Sequence, residues 1–109
     1  MEELEPRGTA FAVAESIRAD GTPVLTLRGE LDISSVDILR RSVDAVLARR
    51  PDAVDFEVAD LTFLDSSGIA VLVHTANNVR AVELHGATTI VRRVIEATGL
   101  AEILRLDPP

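Results

Sequence analysis

The chain has 109 residues, 47% of them apolar and 27% charged, which suits one globular core and excludes a disordered chain or a second domain. Eighteen acidic residues against 11 basic ones give a net charge of −7, so a general attraction for phosphate backbones or anionic lipid is excluded. Without cysteine, Trp or Tyr there can be no disulfide, thiolate metal centre or thiol catalysis, and stacking of exposed bases is disfavoured.

Residues 1–9 read as a flexible polar N-terminus, and 10–109 as one domain. The start Met1-Glu2-Glu3-Leu4-Glu5 lacks the basic opening of a secretion signal, and no apolar run is long enough to span a membrane. The expectation is a soluble, cytoplasmic protein. A first strand is predicted near Ala10 to Ile17, a turn at Asp20, Gly21 and Pro23, and a second strand from Val24 to Arg28. Ser34 is placed to open a helix, with Asp37 three residues on as a capping-box partner. Its apolar stripe is Val36, Leu39, Val43, Val46 and Leu47, and Pro51 closes it. Val54 to Val58 alternate with Asp55 and Glu57, so helices should cover one face of the sheet and leave the other to solvent. A second helix begins within Asp65-Ser66-Ser67-Gly68 and runs through Ile69 to about Ala76, and Asn77 and Asn78 form the next turn. The strand around Val82 and Leu84 follows. Thr88 or Thr89 caps a third helix with Ile90, Val91, Val94 and Ile95 inward, and Gly99 takes its left-handed stop. Ile103 to Leu106 is a short last strand or edge segment, before Pro108 and Pro109. Strands alternating with helices predict an α/β domain with a mixed sheet of four to five strands, antiparallel at its start, and helices mainly on one face.

The stretch able to carry chemistry is Asp60-Leu61-Thr62-Phe63-Leu64-Asp65-Ser66-Ser67-Gly68-Ile69. It leaves a strand past two expected apolar anchors, Phe63 and Leu64, with partial exposure of one of them left open, and sets a hydroxyl at the mouth of a helix. The free amides and partial positive charge there suit a phosphate. Gly68, lacking a Cβ, would let another protein's backbone approach. From the residues alone, the plainer reading is that Asp65 or Ser66 simply caps the helix and Gly68 only relieves crowding.

Three segments in order, Gly29-Glu30-Leu31-Asp32, Asp60-Leu61-x-x-Leu64-Asp65-Ser66-Ser67-Gly68 and Arg92-Arg93-x-x-x-x-Thr98-Gly99-Leu100, resemble the STAS family. The closer similarity is to the bacterial anti-sigma factor antagonists, and it runs from about Phe11 to Leu106. The resemblance implies a STAS-like fold and phosphorylation of Ser66 by an anti-sigma factor that is itself a serine kinase with a histidine-kinase-like ATP fold. The unphosphorylated antagonist would bind that partner and release its sigma factor. Phosphorylation would break the complex, and a PP2C-type phosphatase would restore it. The implied partner-binding residues are Asp32, Asp65, Ser66, Ser67 and Gly68. Two departures stand out: a second helix about one turn short, and Thr88-Thr89 where relatives carry Ser-Pro.

Other chemistries fit less well. Ser67 and His74 share a helix face, yet seven residues of helix separate them by about 10 Å, too far for a nucleophile–base pair. With no Gly-x-Ser-x-Gly elbow either, the chain is not expected to be an enzyme. His74, read as partly buried, has only Asn77 and Asn78 at helical ligand spacings, and His85 reads as a strand-end residue, so no metal and no cofactor are expected. Arg49-Arg50 and Arg92-Arg93 read as solvated helix surface, not a nucleic-acid stripe. The free protein is expected to be a monomer. The alternative function is a constitutive STAS scaffold, or a nucleotide-sensing subunit, in a transport or stress-signalling assembly.

Overall fold

A computed structural model describes residues 10–107, so residues 1–9, read above as flexible, and the closing Pro108-Pro109 lie outside the described residues. The elements are β1 (Ala12–Ile17), β2 (Pro23–Leu31), α1 (Val36–Leu47), β3 (Ala53–Leu64), α2 (Ser66–Ala76), β4 (Ala81–His85), α3 (Thr89–Ala97) and β5 (Leu104–Leu106). They form one five-stranded sheet in the order β1-β2-β3-β4-β5. Only the β1–β2 pair is antiparallel; the remaining pairs are parallel. Each crossover steps to the next strand in the same direction, and right-handed connections then deliver all three helices to one face.

The covered face carries the core. Leu25 and Leu27 of β2, Val54, Phe56 and Val58 of β3, Val82 and Leu84 of β4 and Leu104 of β5 are buried, and they meet Leu39, Val43, Leu72, Val91 and Ile95 from the helices. The opposite face is polar, but not all of it is open. Asp55 is 8% exposed, because the Arg18 guanidinium lies over it with Nε 2.5 Å from Oδ2.

Helix α1 buries Val36, Leu39, Val43 and Val46 as its spacing predicts. The capping box does not form. Ser35 is the N-cap and makes no side-chain cap bond. Its hydroxyl donates to the Glu30 carbonyl at 2.9 Å and accepts from the Asp32 amide at 3.0 Å, which commits it to the preceding strand. Thr88 does cap α3, accepting from the Val91 amide at 3.2 Å. Ile90 is 59% exposed against the expectation; α3 has nine residues and turns only Val91 and Ile95 fully inward. Arg92 is not free surface either, since its guanidinium donates to the Asp107 carbonyl at 2.7 Å. His74 is exposed rather than partly buried.

Candidate functional site

Two strand ends build the site, and both are longer than the sequence suggests. Strand β2 continues through Leu31 because Gly29 adopts a φ of +92°, open to glycine at little cost, where its pairing with β3 shifts register. Strand β3 gains residues relative to β2 at two places: Thr26 and Arg28 pair with Glu57 and Asp60, and Gly29 and Glu30 pair with Leu61 and Phe63. These bulges break the period-2 alternation, so the inward side chains after Val58 are Leu61 and Leu64. Phe63, read as an anchor, is instead turned out and is 44% exposed.

Beyond these ends the chain enters α1 and α2 side by side. The Asp65 amide donates to the Leu31 carbonyl at 3.2 Å, tying the two loops together. Asp65 is the N-cap of α2. Its Oδ1 accepts from the Ser67 amide at 2.9 Å, the Ser67 hydroxyl at 2.5 Å and the Gly68 amide at 3.3 Å. The Ser67 hydroxyl, followed by the Gly68, Ser67 and Ile33 amides, holds the Asp65 carboxyl below its ordinary pKa against a partial desolvation cost. Asp32 is arranged alike. Its Oδ1 accepts from the Ser34 hydroxyl at 2.6 Å and the Ser34 amide at 3.0 Å, and the Ser34 hydroxyl is the main cause lowering its pKa. Two carboxylates that stay ionised therefore flank the mouth of α2.

Ser66 and Ser67 separate cleanly. Ser67 is half-buried and bound to Asp65, whereas Ser66 is exposed at the first position of α2, with no side-chain hydrogen bond to another described residue. Gly68 gives the opposite result to a partner-facing role. It is buried, and a Cβ there would stand 2.7 Å from side-chain atoms of Leu31 and Leu64. The absent side chain serves close packing of α2 on the strands beneath.

Residue-by-residue reading missed the apolar rim. Ile33, in the loop after β2, is 78% exposed, and Ile38 in the first turn of α1 is 44% exposed. With Phe63 they stand at the same sheet edge as Ser66. The run Leu31-Asp32-Ile33 held the signal, since a large apolar residue inside a polar turn has no core to enter.

A sequence family described as "Mlab, STAS domain" matches residues 16–106. The chain belongs to the STAS-domain family. Among relatives of this STAS domain, the anti-sigma-F factor antagonist RsfB of Mycobacterium tuberculosis is 28% identical over 90 residues, 80% of this chain and 74% of that one. An anti-sigma factor antagonist from Mycobacterium paratuberculosis superposes with a TM-score of 0.83 at 25% identity, covering 92% of this chain and 87% of the other. The Bacillus cell fate determinant SpoIIAA in its phosphorylated form shares the fold of this STAS domain at 20% identity, with a TM-score of 0.68 over 89% of this chain and 92% of that one.

Proposed function

We propose that this STAS domain is an anti-sigma factor antagonist whose binding is switched off by phosphorylation of Ser66. The unphosphorylated form binds an anti-sigma factor, itself a serine kinase with a histidine-kinase-like ATP fold, and so frees a sigma factor. A PP2C-type phosphatase returns the modified protein to the binding form. The observation carrying this reading is the exposed, uncommitted Ser66 hydroxyl beside a Ser67 hydroxyl already spent on Asp65. The antagonists among the relatives support it.

The charge arithmetic suits a switch made without refolding. A phosphate adds about −1.5 to −2 charges at pH 7, and the first turn of α2 tolerates it because the helix N-terminus favours anions. Asp65 and Asp32 already make this edge negative, so a docked partner would meet a doubled field. A hundredfold loss of affinity needs about 2.7 kcal/mol, and like-charge juxtaposition in an interface supplies several. Ile33 and Phe63 offer apolar contact area that would be buried on docking. No helix in the described residues is long and apolar enough to cross a membrane.

The test is incubation with the candidate kinase and ATP, followed by mass mapping. One added phosphate, mapped to Ser66, is expected. Ser66→Ala should stay bound to the partner in ATP, and Ser66→Glu should bind at least about a hundredfold more weakly. Equal affinity of the two variants for a verified partner overturns the switch. The matching family's description, "Mlab", keeps one second reading in view, a constitutive STAS subunit. It requires stable assembly with no added mass.

A further inference from the structure

On the polar face of the sheet, away from the switch, three side chains converge from neighbouring strands. Asp55 of β3 and Glu83 of β4 are paired in register, and His85 lies two residues after Glu83 on the same face. Ligand atoms of Asp55, Glu83 and His85 all lie within 4.8 Å of one another. The His85 Nε2 atom is buried and has no hydrogen-bond partner among the described residues. It faces Glu83 Oε1 at 3.5 Å and Asp55 Oδ2 at 3.6 Å. These are too long for hydrogen bonds, but they match the spacing of two ligands on one small ion. At metal–ligand bonds of about 2.0–2.2 Å, the edge of a tetrahedron is about 3.3–3.6 Å. The other ring nitrogen, Nδ1, points toward Asp107, 3.8 Å from Oδ2. Asp107 is itself anchored by the Gly86 amide at 3.1 Å. At 3.8 Å no hydrogen bond joins Asp107 to the ring, and Asp107 places only a nearby negative charge behind it.

We propose that Asp55, Glu83 and His85 form a binding site for a divalent transition-metal ion of the zinc type. One imidazole and two carboxylates supply three ligands and leave a fourth position for water. Arg18 is the built-in competitor, because its Nε holds Asp55 Oδ2 at 2.5 Å. That oxygen is the one facing His85, so a bound ion must displace the guanidinium from it. Nine residues of β3 separate Asp55 from Leu64, roughly 30 Å at 3.3 Å per residue, so the site and the Ser66 switch are independent.

The experiment is calorimetric titration of the full chain, stripped with chelator, with Zn2+, together with metal content after dialysis and imidazole NMR. One Zn2+ per chain is expected, and it should shift the His85 ring resonances while leaving those of His74 in place. His85→Ala and Glu83→Gln should each weaken binding at least about tenfold. Arg18→Gln should tighten binding, which a merely structural charge cluster does not predict. Absence of saturable uptake, equal uptake by His85→Ala, or a shift confined to His74 overturns the proposal. The NMR readout on the unmodified chain decides the matter even if a variant fails to fold.

Discussion

Asp65 combines two duties in one carboxylate. It caps α2 and it fixes the Ser67 hydroxyl, leaving Ser66 as the free one. Replacing a capping aspartate by alanine costs about 0.5–2 kcal/mol, so Asp65→Ala should lower the urea midpoint by a corresponding amount. Its folded pKa lies below the ordinary 3.8. The capping contribution is therefore complete above the unfolded value and disappears as pH falls through the lower folded one. The stability gap between the parent chain and Asp65→Asn, followed by urea unfolding from pH 6 downward, should hold until pH reaches 3.8 and shrink below it. At Gly68 the expected cost comes from crowding. A methyl group placed 2.7 Å from Leu31 and Leu64 should destabilise by about 1–3 kcal/mol, more than the roughly 1 kcal/mol that alanine offers in a helix. Thermal unfolding of Gly68→Ala measures the balance. These details lay beyond the sequence, which marked Asp65, Ser66 and Gly68 as a group without showing that the glycine faces inward.

The element that most changed on folding is β3. Its first half, Val54 to Val58, was legible because strict alternation leaves one reading of which side chains enter the core. The second half was not, because two bulges move the inward positions to Leu61 and Leu64, and a bulge is a property of the pair of strands rather than of either alone. The same limit hid the Asp55, Glu83 and His85 cluster, since cross-strand register is absent from linear spacing. α1 was legible from its stripe and closing proline and α2 from its start and the Asn77-Asn78 turn, whereas short α3 offered too few turns to decide where Ile90 points. The outward turn of Phe63 has a functional corollary. Phe63→Ser or Ile33→Ser should weaken binding of the anti-sigma partner at least about tenfold, about 1.4 kcal/mol, and titration calorimetry against the purified partner would check this. Side chains this exposed should shift stability by only about 0.5 kcal/mol.

For the molecule as a whole, one core serves all five strands and three helices, so the domain should unfold in a single transition. Ser66→Glu is then a clean probe of how the switch works. An anion at the start of α2 is worth about 0.3–1 kcal/mol in the stabilising direction, so the melting temperature should hold or rise by a few degrees. A large fall would mean that modification acts by loosening the fold instead of by repelling a partner. The sheet's layout also decides where a label can go. Strand β1 begins opposite Arg28, which pairs with Asp60 of β3, so the described chain starts toward the rim that carries Ser66, whereas β5 ends beside Leu84, level with Phe56 and well short of that rim. A fluorescent label joined directly before β1 would sit nearer the contact it was meant to report than one joined after β5. The hairpin bend at Asp20-Gly21, on the far rim, is the safer point of attachment for a pull-down or energy-transfer assay.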